Sequence, residues 1–150
     1  MANDTERPIG YWLKRADALL TARIDAVQAA HGLTRLGWQL LTLVRDAAPS
    51  LDEAAAVVRP FADLETVRQR FADFEGRGWV AAGRAGRLSL TPQGTEVYAA
   101  AEQAQRELRR AVMDGITEDE YGTTLRTLRT LVRNLEHAAA APGDGAGAAV

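Results

Sequence analysis

The chain contains no cysteine. That excludes disulfides, thiolate metal sites and thiol-based redox sensing within it. Histidine is nearly as scarce: His31 and His137 are the only two, too few for a structural zinc site, so no metal is expected. No apolar run approaches the ~18–20 residues needed to span a bilayer, and no membrane partner is expected. Residues 1–8 are polar and charged and lack the apolar core of a signal peptide. They are expected to be a flexible N-terminus on a cytoplasmic protein. Positive charge is not in surplus either. Eighteen basic residues face twenty acidic ones, a formal net charge of −2, so the total does not announce a nucleic-acid partner and the distribution has to be examined. Lysine is almost missing: Lys14 is the single one among the eighteen basic residues. Arginine suits bidentate phosphate and guanine contacts, although a GC-rich genome produces the same bias.

Catalytic patterns are also missing. There is no nucleophile elbow, no metal-ligand cluster and no phosphate loop. The string Gly76-Arg77-Gly78-Trp79-Val80-Ala81 superficially fits a dinucleotide-binding glycine pattern. It follows a helical pattern and enters a strand-like one, the reverse of what that motif requires. An enzyme is therefore not expected, and no cofactor is implied.

What is present is a chain of 150 residues with 47% apolar and 25% charged residues, enough for a real core. The stretch from Ser50 to Thr95 organises it. It reads as helix, tight turn, second helix, then a short β-hairpin that runs into another helix, the order of a winged helix-turn-helix. The fold class expected is mostly α with a small β-hairpin wing, flanked by a helical dimerisation layer.

In chain order, Ile9 to Ala30 carries apolar residues three and four apart, a long amphipathic helix, with Gly32 placed to stop it. This helix lies across its own domain or packs on a second chain as well. Thr34 can cap a second helix with Leu36, Leu40, Leu41 and Val44 inward, ended before Pro49. Ser50 and Glu53 form a capping box for a short third helix that ends at Pro60. Asp63 is a good N-cap for the fourth. There Val67, Phe71 and Phe74 fall on one stripe, which leaves Glu65, Thr66, Arg68 and Gln69 on the opposite face. Recognition helices read bases with their N-terminal turns, so these four are the candidate reading residues, with Arg70 completing the set. Arg68 suits guanine, Gln69 adenine, and Glu65 can accept from cytosine. An ordinary solvated face has the same composition.

Gly76 and Gly78 end that helix. Trp79 to Ala82 and Leu88 to Leu90 are expected strands, with Arg84-Ala85-Gly86-Arg87 as the hairpin tip. Arg84 and Arg87 are the wing candidates for phosphate or minor-groove contact, or plain solubilising charges. From Arg59 to Thr91 six arginines face four acids, a local surplus of two. Thr91-Pro92 is a strong helix start for a fifth helix to about Met113. Thr117 and Glu120 form a second capping box before a sixth helix. In both of these helices apolar residues recur four and three apart: Val97, Ala101, Ala104, Leu108 and Ala111, then Tyr121, Leu125, Leu128, Val132 and Leu135. Such seams pack helix on helix, within the chain or between two copies. Residues 138–150 are Ala/Gly-rich and are expected to be a disordered tail.

Two runs carry a family resemblance. One extends from Leu64-Glu65-Thr66-Val67 to Phe74-Glu75-Gly76-Arg77-Gly78-Trp79-Val80; the other is Leu88-Ser89-Leu90-Thr91-Pro92-Gln93-Gly94. In this order and between these helices they resemble the MarR family (multiple-antibiotic-resistance-type regulators), over about residues 9–137. The resemblance implies one domain, with a winged helix-turn-helix at about 34–91 and dimerisation helices at about 9–31, 92–113 and 117–137. It implies a homodimeric transcriptional regulator of double-stranded DNA, in which the fourth helix enters the major groove and the wing touches the flanking minor groove. It further implies a repressor relieved by a small aromatic ligand between the dimer layer and the reading head, with Tyr11, Trp12, His31 and Trp38 as the pocket candidates. One departure weakens the DNA reading: family wings carry an aspartate-x-arginine element in a longer loop, and Gly83-Arg84-Ala85-Gly86-Arg87 lacks that aspartate. The alternative function is a winged-helix protein-interaction module that has lost DNA binding.

Overall fold

The computed structural model describes residues 7–140. The elements follow in the expected order: α1 (Ile9–Ala30), α2 (Arg35–Ala47), α3 (Leu51–Val58), α4 (Leu64–Gly76), β1 (Val80–Ala82), β2 (Leu88–Leu90), α5 (Pro92–Val112) and α6 (Glu118–Ala140). The chain divides into two compact units, with the break between Arg110 and Ala111. α6 also runs on through Ala138–Ala140, into the segment expected to be tail. Ala-rich sequence has high helix propensity, which favours this continuation. The remainder of that segment, and residues 1–6 of the expected flexible N-terminus, lie outside the described residues.

Local chemistry sets the helix boundaries. The Thr34 side chain accepts from the Gly37 amide. Ser50 and Glu53 close a reciprocal capping box, Asp63 accepts from the Thr66 amide at 2.8 Å, and Thr117 and Glu120 repeat the box at the start of α6. Each satisfies amides that a helix start leaves without intrahelical partners. α1 stops at Gly32, whose φ of +70° is the left-handed value that a helix-ending glycine supplies. The Leu33 amide then turns back to the Gln28 carbonyl.

The core of the first unit draws on α2 (Leu40, Leu41, Val44), α3 (Ala54, Val58), α4 (Val67, Phe71, Phe74), the wing (Trp79, Val80, Leu88) and α5 (Tyr98, Ala101). Phe74 is central, with edge contact to Phe71 and stacking on Trp79 at 5.8 Å. The wing is a two-stranded antiparallel hairpin with Val80 opposite Leu90 and Ala82 opposite Leu88. Its turn places Ala85 (φ 57°) and Gly86 (φ 69°) both in the left-handed region, the backbone that suits a tight hairpin of this twist.

α5 departs from the expected seam. Gly94, Tyr98 and Ala101 are its buried residues, and Val97 is only half-buried. Tyr98 points inward because its polar tip is satisfied there: its hydroxyl lies 3.2 Å from the Thr42 hydroxyl and its ring stacks on Trp38 at 4.5 Å. Gly94 is required at the junction. A Cβ at this position would lie 1.9 Å from the Trp79 carbonyl oxygen, so only glycine lets the first turn of α5 sit on the wing backbone. Thr91 completes the joint. Its amide donates to the Trp79 carbonyl, its hydroxyl donates to the Gly78 carbonyl, and that oxygen accepts from the Gly94 amide.

Candidate nucleic-acid interface

α4 presents the face its periodicity required. With Val67, Phe71 and Phe74 buried, Glu65, Thr66, Arg68 and Gln69 all stand exposed on the other side. They are not independent. Glu65 accepts from Gln69 Nε2 at 3.1 Å and lies 3.8 Å from Arg68 Nε. Such exposed pairs are worth little, so they restrain Arg68 and Gln69 only weakly. Arg70 differs from the other four: it is half-buried, and its Nε is buried without a hydrogen-bond partner among the described residues. It lies on the flank of α4 and not on the open face.

The head of this helix is electronegative. The Asp63 carboxyl is held below its ordinary carboxylate range by hydrogen bonds from the Thr66 hydroxyl and then from the Thr66 amide. A charged cap is favourable at a helix N-terminus, but with Glu65 it places two carboxylates at the first turn of α4. The positive charge here is therefore local, on Arg68 and the wing.

The two wing arginines sit in different surroundings. Arg84 stands exposed at the turn, with no ion pair or side-chain hydrogen bond among the described residues. Arg87 turns back toward the body of the unit. Its Nη1 donates to Glu53 Oε2 at 2.5 Å and to the Ala48 carbonyl at 3.2 Å.

The four ligand-pocket candidates do not assemble within one chain. Tyr11 and Trp12 meet edge to face at 5.2 Å near the start of α1. His31 is the residue after its end, about 30 Å away at the rise of a helix. Trp38 lines a groove of about 360 Å³ with Thr42, Leu43, Val57, Val58 and Phe61. Asp46 at its edge is occupied by Arg45, whose hydrogen bond keeps the Asp46 carboxyl below its usual range. Among the described residues no cluster of metal-ligating side chains forms, and no helix is long and apolar enough to cross a membrane.

This arrangement of helix-turn-helix, short hairpin and capped α5 has counterparts among solved structures. The Mycobacterium tuberculosis MarR family protein Rv2887, in complex with DNA, matches with a TM-score of 0.64 at 24% identity, covering 84% of this chain and 98% of that one. The same protein without DNA matches with a TM-score of 0.62 at 25% identity over 87% and 96%. The fold is that of the MarR family. MarR from E. coli in its reduced form (TM-score 0.63, 19% identity, 83% and 93% covered) has the same fold. So does an S. aureus MepR mutant bound to an oligodeoxyribonucleotide (0.64, 13%, 87% and 99%). No family model and no curated protein matches the sequence. The MarR fold is thus retained here at identities where sequence similarity alone is weak.

Sequence reasoning missed three features of this MarR fold. Arg77 ties α4 to the end of α1, donating to the Gly32 carbonyl at 3.0 Å and lying over the Trp79 ring. Tyr98 had a signal available, the stripe of Gly94, Tyr98 and Ala101 at four and three residues, which the neighbouring Val97 pattern masked. The Glu53–Arg87 pair joins residues 34 apart and leaves no periodic trace.

Proposed function

We propose that this chain is a homodimeric, sequence-specific regulator that binds double-stranded DNA in the cytoplasm, reading bases with α4 and reaching the backbone with Arg84. The observation that carries the reading is the open face of α4, where Thr66, Arg68 and Gln69 stand exposed on a helix fixed by a buried stripe and a capped start. The fold supports it, since Rv2887 and the MepR mutant are held with DNA in their structures. Dimerisation is supported by the apolar residues that α1 and α6 leave exposed, among them Leu19, Leu20, Val132 and Leu135. Two such heads about one helical turn of DNA apart fit a near-palindromic site.

Relief by a small ligand belongs to the same proposal. Rv2887 is also held with p-aminosalicylic acid and with salicylic acid in solved structures. In this chain the Trp38 groove is an apolar recess beside the helix-turn-helix. A ligand acts by favouring a head spacing that no longer matches adjacent grooves, which makes the regulator a repressor released by that ligand.

The test is selection of bound sequences from random DNA, followed by titration of the selected site. Arg68→Ala is expected to weaken the selected site by about 1–3 kcal/mol while leaving scrambled DNA almost unchanged. Equal affinity of the variant for the selected site would show that this face does not read bases. The acidic head of α4, together with the tethering of Arg87, favours a second reading: an interaction module on a MarR fold without DNA binding. Wild-type protein with no salt-dependent DNA affinity would support that reading.

A further inference from the structure

We infer that Arg87 is a positioning residue, which braces the wing against the helix-turn-helix and leaves Arg84 as the wing's single contact to DNA. The consequence for DNA rests on the function proposed above; the brace itself rests on geometry. One guanidinium nitrogen of Arg87 bridges two acceptors from two places. Glu53 Oε2 belongs to the capping box of α3, where it already accepts from the Ser50 amide at 2.9 Å. The Ala48 carbonyl lies just past the end of α2, where a helix leaves partial negative charge. Ala48 itself is in the left-handed region at φ 43°, which ends α2 at that point. The next residue of β2 adds a third tie, because the Leu88 amide donates to the Pro49 carbonyl at 2.9 Å.

Residues 87 and 88 of the wing are therefore held to the 48–53 segment by three bonds. The Glu53 and Arg87 side chains are each about half exposed (55% and 53%), so as a lone surface pair they would contribute little. Their value lies in position. α3 packs on α4, so fixing the turn end of the hairpin to the start of α3 fixes the wing relative to the reading helix. For Arg87 to reach a phosphate it would have to abandon both acceptors and leave Glu53 beside the DNA. Arg84 has nothing to abandon.

The experiment uses the full chain and the variants Arg87→Ala, Glu53→Gln, their combination, and Arg84→Ala. Glutamine at position 53 keeps the capping box and removes only the charge. In the free protein, hydrogen exchange of the Leu88 amide is expected to speed up about three- to tenfold in Arg87→Ala and in Glu53→Gln, the scale of a half-exposed pair plus one hydrogen bond. The combination should be no faster than Arg87→Ala alone. On the selected DNA site, Arg84→Ala should flatten the salt dependence by about one unit of slope, the share of a single phosphate neutralised by one arginine. Arg87→Ala should lower affinity about three- to tenfold with the salt slope of the wild type. Unchanged Leu88 exchange in both single variants overturns the brace. So does a slope in Arg87→Ala as flat as that in Arg84→Ala, or tighter binding by Glu53→Gln that disappears when Arg87 is also removed. If the wild type shows no salt-dependent DNA binding, the proposed function fails while the exchange measurements still decide the brace.

Discussion

In α4, Val67, Phe71 and Phe74 recur four and three residues apart and are at most 3% exposed. In α6, Leu125, Leu128, Val132 and Leu135 recur three, four and three apart, yet Val132 and Leu135 are 52% and 61% exposed. The sequence pattern is of one kind and the burial is opposite. Periodicity states that a helix has an apolar face. It does not state which surface covers that face. For α4 the cover is α3 and β1 of the same unit. α6 begins with an equally well-formed cap, but Leu125 and Leu128 are only half-buried and Val132 and Leu135 are exposed; in the proposed dimer this face meets the second copy.

The largest effect that tests this contrast is expected at Gly94, where the covered region has no spare room. Gly94→Ala drives a Cβ into the Trp79 carbonyl, a backbone atom that cannot rotate aside. A cost of about 3 kcal/mol or more is expected, seen as a large drop in the midpoint of urea unfolding. A midpoint equal to that of the wild type would mean that the junction between wing and α5 is looser than this geometry requires.

The second test addresses the open face. Val132→Asp combined with Leu135→Asp is expected to leave the unfolding of the reading head nearly unchanged, because neither residue belongs to its core. The same double variant should convert a dimer to a monomer in sedimentation measured across a concentration series. A monomeric wild type would break the assignment of this face to a second copy.

The smallest effect compares the caps of the two helices under acid. The Asp63 carboxyl is held low by the Thr66 hydroxyl and amide, and the Glu120 carboxyl is held low by the Thr117 amide and hydroxyl. Both folded pKa values lie below their unfolded ones, about 3.9 for Asp and 4.3 for Glu. Each carboxylate therefore contributes stability that is fully present above those unfolded values and is lost as pH falls through the depressed folded values. Asp63→Asn keeps an N-cap and removes the Asp63 share of this dependence. Thermal unfolding of the two proteins between pH 6 and 2 should show a shallower acid decline for the variant; parallel curves would mean that Asp63 titrates alike in both states.

Much of the fold was legible because its signals are local. Thr34, Ser50, Asp63, Thr91 and Thr117 each act on amides three residues on, so caps and boundaries follow from short words in the sequence. The stripe on α4 follows from one helical period, and with it the exposed face of Glu65, Thr66, Arg68 and Gln69. Legibility stopped where a side chain answers to something distant. Tyr98 faces inward because Thr42, 56 residues earlier, and Trp38 on the same helix wait for it there. Arg87 faces the body because Glu53 and Ala48 accept it there, although at a hairpin tip it reads the same as Arg84. Within one chain the length of α1 separates Tyr11 and Trp12 from His31.

The sequence by itself determined the helices, their caps, the hairpin and the face of α4 that is left exposed, because each depends on neighbours within a turn or two. Only the tertiary structure decided which of two equivalent wing arginines is free, which face of α5 is buried and which apolar stripe is left uncovered. Those outcomes depend on atoms brought together from far along the chain, and a hydrogen bond or a packed ring exists only once its distant partner is in place.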